Sequence, residues 1–126
     1  METRLALSAS AALFGVSGLG MLFVPDDVAR LLGFSARAVL VQLLGAALLG
    51  IAAMNWTARG LPLGGIYGRA VTAGNQVHAF IGAMVLIRYA FSTGGPAAMW
   101  ALTAVYVLSA VYFSWLMFFS TGLRKG

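Results

Sequence analysis

Four uncharged stretches organise this chain: Leu5 to Pro25, Ala38 to Ala58, Ala70 to Ile87, and Tyr89 to Leu123. The last is broken near its start by Gly94, Gly95 and Pro96. A hydrocarbon core about 30 Å thick takes roughly 20 apolar residues in a helix. The pattern therefore predicts membrane-spanning helices over about 5–24, 38–58, 66–91 and 97–119. Between the first two, Pro25-Asp26-Asp27-Val28-Ala29-Arg30-Leu31-Leu32-Gly33 reads as a short helix lying at the interface over about 25–33. Proline suits a first helical turn, and aspartates there favour the positive end of the dipole, so Asp26 and Asp27 are read as capping groups. Gly33 is placed to end that helix. Val28, Leu31 and Leu32 are expected to dip into the lipid boundary while Arg30 faces phosphates.

The expected fold is all-α: a four-helix transmembrane bundle with an interfacial helix between helices one and two, forming one integral membrane domain over 1–126. The segment before Pro25 runs to about 20 residues with only Arg4 in front and lacks a clean small-x-small cleavage site, so it reads as the first membrane helix rather than a signal peptide. Short turns at Arg59-Gly60-Leu61-Pro62-Leu63-Gly64-Gly65 and Ser92-Thr93-Gly94-Gly95-Pro96 make sequential helices antiparallel. Helix four ends in Gly122-Leu123-Arg124-Lys125.

Composition sharpens this picture. Hydrophobic residues are 61% and charged residues 9% of the 126, against roughly 25% charged in soluble domains. The lipid bilayer is thus the first partner. The net charge of +5 does not indicate nucleic acid, because the basic residues sit at helix ends, without clustering or aromatic interleaving. Arg30, Arg69 and Arg88 are read as interfacial anchors. Arg4, Arg59, Arg69, Arg124 and Lys125 fall on one side and Arg30, Arg37 and Arg88 on the other, which predicts both termini in the cytoplasm. The absence of cysteine removes disulfides, thiolate catalysis, iron–sulfur clusters and cysteine-ligated zinc.

Small residues suggest where helices approach closely. In helix one these are Ala11, Gly15 and Gly18; in helix two a stripe runs through Gln42, Ala46, Gly50 and Ala53. Asn55-Trp56-Thr57 ends helix two with a tryptophan suited to the headgroup belt.

Helix three carries most of the intramembrane polarity. Asn75, His78 and Gly82 fall within an arc of about 60°, and Arg69, Thr72 and Gln76 form an adjoining stripe. His78 lies roughly 14 Å along the helix from Arg69, near the bilayer centre. An ionisable side chain at that depth is costly and points to function by default. It could relay protons, ligate a haem with Met54, Met84, Met117 or a second subunit, or bond a quinone or lipid headgroup. The structural alternative is a neutral imidazole bonded to a neighbouring helix, with Gln42, Thr103, Tyr106 and Ser109 available. Gln42, Thr72, Asn75, Gln76 and His78 form the candidate polar core. No carboxylate sits at helical spacing from His78, which argues against a hydrolytic metal site. Helix four is aromatic, and Tyr112, Trp115 and Phe119 would suit a lateral partner.

The run Gly65-Ile66-Tyr67-Gly68-Arg69, followed by Asn75 and His78 and preceded by a helix ending Asn55-Trp56, resembles small bacterial four-helix membrane proteins of the DoxX-like type. The resemblance spans about Leu44 to Arg88. DoxX is associated with a membrane quinone-linked oxidoreductase, which implies an accessory subunit working beside other chains and assigns no catalytic residue. Small multidrug exporters, fluoride channels and microsomal glutathione transferases differ from this chain at the residues that carry their chemistry.

The expected function is therefore a non-catalytic accessory or scaffolding subunit, without a cofactor or metal of its own. It would dock sideways to other integral membrane proteins of a respiratory or photosynthetic complex in the bacterial inner membrane. The competing reading is a homo-oligomeric module that binds quinone, lipid or haem, or conducts protons through Asn75, His78 and Gln42.

Overall fold

A computed structural model describes residues 2–35, 37–61 and 65–119. The expected turn at Pro62, Leu63 and Gly64 and the tail Gly122-Leu123-Arg124-Lys125 lie outside the described residues. The elements run α1 (Glu2–Phe23), α2 (Pro25–Leu32), α3 (Ala38–Ala58), α4 (Ile66–Thr93) and α5 (Ala97–Phe118). Among the described residues there is no strand. The fold is all-α, and α1, α3, α4 and α5 are each long and apolar enough to cross a bilayer, with α2 short between the first two. This is a multi-pass membrane protein.

The chain divides into two compact units, Met1–Gly60 and Leu61–Gly126. In the first, α1 packs against α3 and α2 closes on both. The buried seam of α1 runs through Leu7, Ala11, Phe14, Gly18 and Met21, and that of α3 through Val41, Gly45, Leu48, Ala52, Asn55 and Ala58. Alternating steps of three and four residues are the spacing of left-handed helix packing. At the crossing, Gly18 and Gly45 face each other so closely that a Cβ on either would meet the other's carbonyl oxygen at 2.8 Å. Gly15 sits against the Ala52 methyl at an ordinary 3.7 Å.

Within this unit α1 thus meets α3 one residue away from the expected stripe. Ala46 and Gly50 are exposed, and a Cβ at Gly50 would meet nothing within 4 Å. One residue is 100° of rotation. The reason is that Gly45, opposite Gly18, is where the α1 backbone comes closest.

The interfacial helix also differs from expectation. Its buried face, Ala29 and Leu32, is taken up within the unit, and Val28 packs towards Gly20. Only Leu31 of the three expected lipid contacts is well exposed. Val24 holds the N-cap position and no side chain caps the helix. Asp27 instead pairs with Arg30 on the exposed surface. Gly33 ends the helix with φ of +75°, its N–H reaching the Arg30 carbonyl.

In the second unit α4 and α5 form a hairpin. The α4 helix has 28 residues, about 42 Å, so it outruns a core of about 30 Å and extends past it or tilts. It continues to Thr93 because Ser92 and Thr93 donate to the Tyr89 carbonyl at 3.1 and 2.7 Å. Gly94 then stops it in the left-handed region, φ +61°. An L-residue there costs about 1–2 kcal/mol. Gly94→Ala should lower hairpin stability by about that amount, seen as an earlier midpoint when the full chain is unfolded by SDS in mixed micelles. An unchanged midpoint would mean the turn does not need the left-handed residue. The top of the hairpin is closed by Phe91 and Trp100, edge to face with centroids 5.2 Å apart.

Candidate functional site

The buried seam of α4 runs Gly68, Thr72, Asn75, Ala79, Ala83, Leu86 and Ala90, and it meets Met99, Thr103, Tyr106, Ala110, Phe113 and Leu116 on α5. Small residues on α4 oppose large ones on α5, which lets the two helices approach closely. His78 precedes Ala79 and so stands about 100° off the seam. It is therefore half-buried rather than enclosed.

From that edge the imidazole reaches across the hairpin. His78 Nε2 and Tyr106 Oη share a hydrogen bond of 3.0 Å, with the rings 5.4 Å apart and tilted by 54°. The phenol ring reaches this position because Gly82 leaves room for it. A Cβ at Gly82 would lie 2.5 Å from Tyr106 Cε1 and 2.6 Å from Cδ1. The pair thus depends on three residues: a donor or acceptor on α4, its partner on α5, and a glycine one turn along that seats the partner's ring.

The other polar side chains of the two units are hydrogen-bonded as well. Gln76 Nε2 donates to Ser114 Oγ at 3.4 Å, a second crossing between α4 and α5. Thr72 donates to the Gly68 carbonyl at 2.8 Å and Asn75 Nδ2 to the Val71 carbonyl at 2.9 Å. Thr103 donates in the same way to the Met99 carbonyl at 2.8 Å. No described buried side-chain nitrogen or oxygen lacks a partner. Gln42 belongs to the other unit, where its Nε2 donates to the Leu22 carbonyl at 3.2 Å. It helps fasten the end of α1 to α3.

The exposed Arg69 and Arg88 lie about 28 Å apart along α4, close to the thickness of a hydrocarbon core. Each can therefore reach its own interface with His78 midway between them. For haem, His78 supplies one axial ligand. Met84 is turned about 240° from it around α4, and Met117 is about three turns beyond Tyr106 on α5. Among the described residues no group of three or more His, Cys, Asp or Glu gathers to hold a metal.

Of the expected aromatic surface, Trp115 and Phe119 are exposed, at 48% and 67%. Tyr112 is half-buried and packs edge to face on Phe113, 5.5 Å between centroids. Val111 and Phe118 complete the exposed ridge. In the sequence Tyr106 was one of several possible partners, Ser114 and Gly45 did not stand out, and Asn55 figured only as part of the end of helix two. Asn55 is fully buried. Its register on the 41-45-48-52-55 spacing was the available signal.

No protein-family model matches this chain, and no curated protein or solved structure resembles it significantly.

Proposed function

We propose that this protein is a non-catalytic accessory subunit that docks sideways, through helix faces, to a larger integral membrane complex. The observation that carries the reading is how the polar side chains of α4 are used. His78 and Gln76 each bond to α5, while Thr72 and Asn75 bond to carbonyls of α4 itself. Interhelical bonds of this kind hold membrane helices together, at about 0.6–2 kcal/mol each. The ridge of Val111, Trp115, Phe118 and Phe119 faces outward and supplies an aromatic surface for a neighbour.

The resemblance of Gly65–Arg69, Asn75 and His78 to DoxX-like proteins favours a respiratory or photosynthetic electron-transfer complex in a bacterial cytoplasmic membrane. The distribution of basic residues favours cytoplasmic termini.

One observation favours a second reading. The bonded His78–Tyr106 pair is half-open at its histidine, as a site for a lipid-soluble ligand or a proton would need. Isolation from native membranes at native expression level separates the two. The accessory reading expects large membrane proteins in fixed ratio by mass spectrometry, and the same set with His78→Ala. Recovery alone or as a homo-oligomer would defeat it, and loss of ligand or proton flux in His78→Ala would then support the second.

A further inference from the structure

At the end of α3 the guanidinium of Arg59 lies over the indole of Trp56, its central carbon 3.6 Å from the ring centroid. Its Nη1 donates to the Trp56 carbonyl at 2.7 Å. Two contacts to one residue hold a normally mobile side chain in a single orientation. Guanidinium carries five N–H donors in a planar fork, and this arrangement spends one of them. The remaining donors match the geometry of a tetrahedral oxyanion.

The location suits one kind of anion. Trp56 is 55% exposed and follows the apolar run of α3 by the end of the span, the level at which tryptophan meets headgroups. Because α1 and α3 cross as Gly18 against Gly45 and Gly15 against Ala52, they are antiparallel. The exposed Arg4 therefore lies at the same end, whereas Asp26 and Asp27 lie at the other. A helix C-terminus by itself repels anions. Here the bond to the Trp56 carbonyl neutralises one of its terminal oxygens, and the guanidinium charge outweighs the rest.

We infer that Arg59, held by Trp56, is a binding site for the phosphate of an anionic phospholipid. This inference is independent of the accessory-subunit reading, and its test uses no partner protein.

The test is lipid selectivity at Trp56. The full chain carrying Trp100→Phe and Trp115→Phe keeps Trp56 as its sole tryptophan. It is reconstituted in phosphatidylcholine vesicles containing phosphatidylglycerol, with either lipid brominated near the carbonyl end of its acyl chains. Quenching of Trp56 then gives the relative affinity of the two lipids. The expected preference for phosphatidylglycerol is about fivefold, from one interfacial cation. Arg59→Gln should bring the ratio close to unity, and Arg59→Lys should lower it substantially, because an ammonium lacks the planar fork. Arg4→Gln should leave most of the preference.

No preference in the starting protein, or one that survives Arg59→Gln, would reduce Arg59 to a helix cap and overturn the inference. An equal loss in Arg4→Gln, or full retention in Arg59→Lys, would show a diffuse charge effect and also overturn it. Collapse of the preference on adding millimolar orthophosphate would identify a soluble phosphate as the ligand instead of a lipid.

Discussion

Gly45→Leu is expected to separate α1 from α3. A Cβ at that position would lie 2.8 Å from the Gly18 carbonyl oxygen and 2.9 Å from the Met21 Cβ, with the Leu22 nitrogen at 3.2 Å. Two of those three atoms are backbone, so no rotamer change makes room. The helices must move apart, and Leu7, Phe14 and Leu48 along the same seam then lose contact. Overpacking usually costs about 1–3 kcal/mol and more where backbone must shift, so a loss of about 3 kcal/mol is expected. Gly18→Leu should match it, since its Cβ would meet the Gly45 carbonyl oxygen at 2.8 Å and Leu49 Cγ at 2.9 Å. Gly50→Leu, pointing into open space, should stay within about 0.5 kcal/mol of the parent. SDS titration of the purified chain, followed by circular dichroism, measures all three. Equal effects at Gly45 and Gly50 would show that the Gly18–Gly45 crossing does not govern this unit.

The second large effect is expected at Gly82. Alanine there would place a methyl 2.5 Å from the ring of Tyr106, a rigid side chain buried to 7% exposure. Either the ring leaves its seat or α4 and α5 move apart, and in both cases the bond to His78 is lost. The expected cost is about 2–3 kcal/mol from strain and the lost hydrogen bond. The informative comparison is a double-mutant cycle. In a Tyr106→Ala background the ring is gone, so Gly82→Ala should cost little, leaving a coupling of about 1–3 kcal/mol. An identical cost in both backgrounds would mean that Gly82 does not seat Tyr106. The same variant bears on function. If His78 serves only to hold the hairpin, Gly82→Ala weakens the protein yet leaves the identity of its co-purifying partners unchanged.

Much of this molecule can be read from its sequence, for a reason particular to membranes. Lipid offers backbone groups no hydrogen bonds, so an uncharged run of spanning length must be helical. The predicted α3 boundaries, Ala38 and Ala58, coincide with those observed. The end of α4 was less visible, because Ser92 and Thr93 read as turn residues until their hydroxyls are seen bonding back to Tyr89. Likewise Asp26 and Asp27 suggested a cap, but capping depends on which residue takes the N-cap backbone conformation, and Val24 does.

The candidate site divides in the same way. That α4 bears the polar residues, and that His78 sits mid-span among them, follows from composition and the helical period. That Tyr106 is its partner does not, because Thr103, Tyr106 and Ser109 lie within two turns of α5 and each carries a hydroxyl. Gly82 bears on the choice, since its missing side chain leaves room for the Tyr106 ring. On α3 the sequence offers two competing faces, Gln42-Ala46-Gly50 and Val41-Gly45-Leu48. The small residues of the first carried the expectation, and the approach of the Gly18 backbone to Gly45 places α1 on the second. By itself, then, the sequence determined the class, the spans and the location of the polar helix, since burial in lipid dictates these one segment at a time. Only the tertiary structure decided which face packs and which hydroxyl meets the histidine, because close contact depends on two helices at once.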